Sequence, residues 1–279
     1  MLLAVDVGNS NIVVGAFDGE TLLPSWRLTT DRRRTTDEYA VLLRGLLEHH
    51  DVRPSDIRGV SLASTVPALT QTFCQLAERY FEVRPVVAHA DLQTGIVVAT
   101  DNPLEVGPDR IVNALAAMRR HRVPAIVIDI GTATTFDAVT ARGELLGCAI
   151  APGIESAMEG LVARAARLFS VELKAPSAAI GRNTVASIQS GAVFGYVGLV
   201  EGLVERIRGE MDGDPLVIAT GGLAPIVVPQ TKVVDVTDPD LTLHGLRFLY
   251  EAVHQHPSAV GLPNPVGRGG WRTAPPATG

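Results

Sequence analysis

A chain of 279 residues with 46% apolar and 19% charged side chains has the size for one large or two moderate domains and the composition of a compact globular protein. Its formal net charge of −6 offers no basic field to nucleic acid or to an anionic membrane surface. The two cysteines, Cys74 and Cys148, form no CxxC pair, which excludes a disulfide framework and fits a reducing compartment. Residue 2 already belongs to the first apolar run, so no leader is expected. No apolar stretch is read as approaching membrane-spanning length, and the expected location is the cytoplasm.

The opening run LLAVDV alternates like a strand up to Asp6, turns at Gly8-Asn9 and resumes with Ile12, Val13 and Val14. Asp18-Gly19 is a hairpin signal, and TLLPSWRL supplies a third strand. From Asp37 onward, Tyr39, Leu42, Leu43, Leu46 and Leu47 recur at helical spacing. IRGVSLAST then reads as a strand, PALTQTFCQLAERYF as a helix and RPVVAHA as a strand. After the loop TDNPLEVGPDR, Ile111, Val112, Leu115, Ala116 and Met118 mark a helix, so the first part reads βββαβαβα.

The second half repeats that order. PAIVID is a strand, Gly131-Thr132 a turn, TTFDAVT a strand, ARGE a turn and LLGCAIA a third strand. Helices are predicted over 155–169 and 187–210, followed by the strand PLVIAT, the turn Gly221-Gly222 and a last helix after LTLHG. Asp6 and Asp129 stand 123 positions apart, which predicts two similar domains, 1–118 and 119–254, facing each other across a cleft. The Pro- and Gly-rich remainder, 255–279, reads as a disordered tail.

A tight turn of small residues exposes consecutive backbone N–H groups, and such a concavity suits phosphate oxygens. Ser10, Asn11, Thr132 and Thr134 can add side-chain donors. Asp6 and Asp129 end their strands beside these turns, and a carboxylate near a phosphate calls for a cation between them. Neither turn is a P-loop, because GxxxxGK[ST] is absent and both turns run from strand to strand. One such hairpin alone would read as a polar tip. Two at a half-chain interval, followed by TGGL at 220–223 as a place for base and sugar, point to a nucleotide.

The ordered stretches DVGNSNIVVG, TTDEY, DNPLEVGPDRIVNA, DIGTATTFD, APGIESAMEGL, GRNTVASIQSGAVFGYVGLVEGL, ATGGLA and DPDLTLHGLRFLYE run from residue 6 to about 251. Together they resemble type III pantothenate kinases, within the superfamily of acetate and sugar kinases, heat-shock chaperone ATPases and actin. The resemblance implies an α/β fold of two ribonuclease H-like (actin-like ATPase) domains, each opening with a three-strand meander, around a central cleft. It implies ATP-dependent phosphorylation of the 4′-hydroxyl of pantothenate, the first step of coenzyme A synthesis.

The same resemblance implies roles. Asp6, Val7, Gly8, Asn9, Ser10, Asn11, Ile12 and Val13 would contact ATP, with Asp6 also near its Mg²⁺, and Thr132 would be a further ATP contact. Asp129 would hold a monovalent cation, K⁺ or NH₄⁺. Gly107, Pro108, Asp109 and Arg110 would form the pantothenate site, with Asp109 accepting the hydroxyl proton. Thr184 would reach pantothenate from the partner subunit of a homodimer. Kinase chemistry agrees, since an Asp often takes the acceptor's proton and an Arg fork suits a carboxylate.

Plainer readings compete. Asp109 is a fair N-cap for the helix from Ile111, Arg110 a solvated helix-end charge and Thr184 a turn or cap before Ile188. Arg32-Arg33-Arg34 reads as a solvated loop, and Asp37 and Glu38 as residues of a first helical turn. Two departures from the family pattern stand out: Thr100 replaces a common Tyr before DNP, predicting weaker pantothenate binding, and Arg182 replaces the Lys of GKNT. No nucleic-acid or membrane partner is expected. The alternative function is a nucleotide-binding accessory factor in transcription without kinase activity.

Overall fold

Both copies of the repeated turn sit in sheets of one design. A computed structural model describes residues 1–92 and 94–255. Strand β1 (Leu2–Val7) turns into β2 (Asn11–Asp18), and a two-residue link leads to β3 (Thr21–Thr29). Gly19 in that link has φ of 58°, a left-handed conformation that glycine adopts without a Cβ penalty. Helix α1 (Thr36–His49) opens with a capping box: the Thr35 hydroxyl accepts from the Glu38 N–H, and the Glu38 carboxylate accepts from the Thr35 N–H. Strand β4 (Gly59–Ser64), helix α2 (Pro67–Tyr80) and strand β5 (Val86–Val87) complete a sheet of order β3-β2-β1-β4-β5, with β4 and β5 parallel to the first strand.

The chain continues through β6 (Val97–Val98) and α3 (Pro108–Arg120) to the second meander, β7 (Ala125–Ile130), β8 (Ala133–Val139) and β9 (Glu144–Pro152). Helices α4 (Ile154–Arg164) and α5 (Thr184–Glu210) follow, then β10 (Leu216–Thr220), the short α6 (Ala224–Val227), β11 (Val236–Thr237) and α7 (Leu241–Gln255). The second sheet has the order β11-β10-β7-β8-β9-β6. Apart from its edge strand β6, it repeats the first sheet: a meander with two parallel strands added beside its first strand.

Several expectations are corrected here. Strands β6 and β11 contain two residues each, too few to show alternation, and β6 adds first-half residues to the edge of the second sheet. The last helix starts within LTLHG rather than after it, and Leu241, Leu243, Leu246 and Leu249 are buried. Helix α7 returns to the first sheet, where it joins Ala4, Phe17 and Ala63 and the α3 residues Val112 and Leu115 in one apolar cluster. A Cβ at Gly245 would collide with the Val112 carbonyl, so glycine allows α3 and α7 to pack closely. The tail expected at 255–279 lies, from residue 256, outside the described residues.

Helix α5 corrects the expectation that no segment approaches a membrane span. It has 27 residues and includes an 18-residue window of mean hydropathy 1.2, which suffices by length and composition. Val193, Tyr196, Val197, Val200 and Val204 on one face nevertheless pack with Ile128, Phe136 and Val217 of the second sheet, as a core helix does.

Candidate active site

The repeated turns meet. Gly8 N–H donates to the Asn11 carbonyl and Gly131 N–H to the Ala133 carbonyl, each at 3.0 Å. Between them, Ser10 Oγ and Thr132 Oγ1 are 2.7 Å apart and exposed. The side chains of Val7 and Ile12 are buried in the core, which anchors the first turn while Asn9, Ser10 and Asn11 stay exposed. Thr134 does not join them. It is buried and hydrogen-bonds the Tyr196 hydroxyl of α5, because strand alternation sends it to the opposite face from Thr135.

Helix α3 carries the next group of side chains. It starts at Pro108 with Gly107 as N-cap, so Asp109 lies in the first turn and does not serve as the cap. The Asp109 carboxylate accepts from the Arg110 N–H at 3.0 Å. A Cβ at Gly107 would lie 2.4 Å from Asp109 Oδ1, so any larger residue here would push that carboxylate aside. One turn on, Asn113 Nδ2 donates to Asp129 Oδ2 at 3.2 Å, while Thr242 Oγ1 on α7 donates to Asn113 Oδ1 at 2.8 Å. The threonine thereby fixes which end of the amide faces Asp129. Asp129 is also tight against the TGG turn, since a Cβ at Gly221, φ 94°, would lie 2.5 Å from Asp129 Oδ1.

Asp6, Asp109 and Asp129 therefore converge, and their electrostatics reflect it. Each keeps some accessible surface, but protein surrounds most of each carboxyl. Burial raises Asp6 well above the usual carboxylate range, with the Asp109 and Asp129 charges adding to the rise. Burial raises Asp129 to about 6, again helped by Asp109 and opposed by the Asn113 hydrogen bond. Burial also raises Asp109, against the pull of the Arg110 N–H and charge. Repulsion from the Asp109 charge thus adds to burial at both Asp6 and Asp129.

Arg110 points into the protein rather than to solvent. Its Nε donates to Asp137 Oδ1 at 2.6 Å, with the two side chains 12% and 0% exposed. Arg32, expected in a solvated loop, donates from Nη2 to Asn9 Oδ1 at 3.0 Å beside the first turn. Arg27 on β3 lies against the TGG turn, its Nη1 2.7 Å from where a Gly222 Cβ would stand. The sequence reading gave none of Asn113, Asp137, Arg27 or Arg32 a role. Asn113 had a usable signal, because it lies four residues after Asp109 and so on the same helical face.

The sequence model of the family described as type III pantothenate kinase matches residues 2–206. The chain belongs to that family. Curated type III pantothenate kinases include one from Moorella thermoacetica, 49% identical over 90% of this chain and 99% of its own length. Another, from Myxococcus xanthus, is 48% identical over 91% and 99%, and one from Streptomyces avermitilis 49% over 90% and 98%. Among solved structures, an inorganic polyphosphate/ATP-glucomannokinase from Arthrobacter superposes with TM-score 0.51 at 16% identity, covering 91% of this chain and 99% of its own. A Campylobacter jejuni protein described as a Baf family transcriptional activator gives TM-score 0.55 at 17% identity, covering 92% and 99%. At such identities the likeness shows the fold alone, that of two-domain sugar kinases and actin-like ATPases, and it lends nothing to a role in transcription.

Thr184 stands apart from the carboxylates. Asn183 is the N-cap of α5, its side chain accepting from the Ala186 N–H, and Thr184 is the first helical residue. It lines a pocket of about 590 Å³ with Leu161, Leu168, Arg182 and Ile188, which shares no residue with the Asp6–Asp109–Asp129 group. The Thr100 hydroxyl is buried without a hydrogen-bond partner among the described residues.

Proposed function

We infer that this protein transfers the γ-phosphoryl group of ATP to the 4′-hydroxyl of pantothenate, forming 4′-phosphopantothenate and ADP at the start of coenzyme A synthesis. The observation that carries the reading is the pairing of Asp109 and Arg110 at the head of α3, beside Asp6 and Asp129, in a chain of this family. The substrate oxygen forms a bond to the γ-phosphorus, the bond from that phosphorus to the bridging oxygen breaks, and the hydroxyl proton passes to the Asp109 carboxylate. Its raised pKa brings Asp109 nearer working pH, where a base is both ionised and able to take a proton. Arg110 receives the substrate carboxylate.

Asp6 through Val13 and Thr132 hold the triphosphate through backbone N–H groups and hydroxyls. ATP comes with a divalent metal, which when bound neutralises phosphate charge. No group of three or more His, Cys, Asp or Glu with metal-ligand spacing occurs among the described residues. That suits Mg²⁺, which takes one or two carboxylates and completes its shell with phosphate oxygens and water; Asp6 is the ligand we assign. We assign K⁺ or NH₄⁺ to Asp129, whose burial calls for a cation partner.

A homodimer is the assembly we propose. Thr184, Gly191, Gly195, Gly198 and Gly202 follow at steps of seven, four, three and four, so they share one face of α5, opposite its core face. Among the described residues, no atom beyond the local backbone of α5 lies within 4 Å of a Cβ built at Gly191, Gly195 or Gly198. Exposed Leu161, Ile180 and Val185 lie near the same end. Such a face favours close helix packing with a second copy, which would carry Thr184 to the partner's site.

The test is ADP release by the purified protein with ATP, Mg²⁺ and K⁺. Release that requires pantothenate is expected. Equal release without it, or preference for another hydroxy acid, would defeat the reading.

A further inference from the structure

We propose that Asp137 is a positioning residue for pantothenate, fixing Arg110 so that the free edge of its guanidinium meets the substrate carboxylate. The proposal rests on the pantothenate kinase reading above. Asp137 lies in the middle strand of the second meander, opposite Val127 on one side and Cys148 on the other, and is fully shielded from solvent. A buried ion pair adds little stability compared with apolar side chains of the same volume, because both charges lose their water. Its geometry argues for a use beyond stability.

That geometry is one-pronged. Asp137 grips Nε of Arg110 through Oδ1 at 2.6 Å, while its Oδ2 accepts from Thr135 Oγ1 at 3.2 Å. A pair built only to hold the fold would favour the bidentate arrangement, which satisfies more of the guanidinium's five donors. Here Arg110 Nη2 is buried and has no hydrogen-bond partner among the described residues. A buried unsatisfied donor is costly, and an incoming carboxylate relieves that cost. The Thr135 bond orients the Asp137 carboxyl, Asp137 orients the guanidinium, and Asp109 stands one residue away on α3. The chain of contacts sets the distance between the group that holds the substrate and the group that takes its proton. Burial lowers the Arg110 pKa, but the Asp137 charge outweighs it and the net direction is upward, so the guanidinium stays charged.

The test is steady-state kinetics of Asp137→Asn and Asp137→Ala with each substrate varied, alongside Tm and wild type. Asparagine keeps an oxygen for Nε but loses the charge; alanine releases the guanidinium. We expect the KM for pantothenate to rise about tenfold with asparagine and about a hundredfold with alanine, while kcat stays within about threefold and the ATP KM is unchanged. The partial recovery by asparagine and the confinement of the loss to one substrate separate positioning from a purely structural role. A folded Asp137→Asn variant with wild-type KM for pantothenate overturns the proposal, as does an equal loss toward ATP. If alanine prevents folding, the isosteric asparagine decides alone. Wild type that ignores pantothenate would overturn the functional reading and this proposal with it; normal wild-type kinetics with unaffected variants would overturn the proposal alone.

Discussion

Ser10 Oγ and Thr132 Oγ1 hydrogen-bond each other at 2.7 Å although 122 residues separate them. This contact joins the two repeated turns. A phosphate oxygen is a better acceptor than a neighbouring hydroxyl, because hydrogen bonds to charged groups are worth about 1.5–3 kcal/mol. Both hydroxyls should therefore turn to the triphosphate when ATP enters. Ser10→Ala and Thr132→Ala should each raise the KM for ATP by about tenfold, with the KM for pantothenate unchanged. Initial rates over a range of ATP check this, and an unchanged ATP KM would remove both residues from the phosphate site.

Asp109→Asn should slow single-turnover phosphoryl transfer by about 10²–10⁴-fold at saturating substrates. Because Asp109 is a first-turn residue of α3 and not its N-cap, loss of capping cannot explain a slow variant. Asparagine also removes a carboxyl whose charged form burial disfavours, so Tm should hold or rise. Near-normal transfer by the folded variant eliminates Asp109 as the base.

Much of this site was legible in the sequence because Asp6 and Asp129 each stand one residue before the end of an apolar strand, where a carboxylate interrupts the apolar run. The start of α3 was not, since Gly107 is an N-cap without a side-chain bond and the apolar periodicity begins only at Ile111. Asp137 was hidden for another reason. Within TTFDAV it reads as one more strand residue, and only the fold shows that its face of β8 meets Arg110. Thr134 was misread as a phosphate donor because position in a turn motif does not reveal which face of the strand a residue takes.

Asp129 sits near pKa 6, against about 3.9 for an unperturbed Asp. A carboxyl raised on folding makes the native state bind more protons than the unfolded chain between those values, so its stability contribution improves as pH falls through 6 and is least favourable above it. Asp129→Asn should accordingly raise the Tm of the ligand-free protein by a few degrees at pH about 8 and by less near pH 5. K⁺ binds the ionised form, so half-saturating K⁺ should rise about tenfold per pH unit below 6. Activity titrations with K⁺ at two pH values test this, and equal K⁺ requirements at both would count against Asp129 as the ligand.

The shared α5 face of Thr184, Gly191, Gly195 and Gly198 leads to a complementation experiment. If Thr184 serves the partner's site, Asp109→Asn and Thr184→Ala homodimers each lack one group in every site. Subunit exchange between equal amounts yields heterodimers in which one site carries both defects and the other carries none. Random exchange makes half the dimers mixed, each with one intact site, so activity should recover to about a quarter of wild type. If Thr184 acts within its own chain, every site in the mixed dimer stays defective and nothing recovers. Gly195→Leu, placed opposite the core face where no atom of the other described elements lies within 4 Å, should block exchange and recovery together by preventing close helix approach. Full activity of Thr184→Ala alone, or a mixture no more active than its parts, defeats the cross-subunit role.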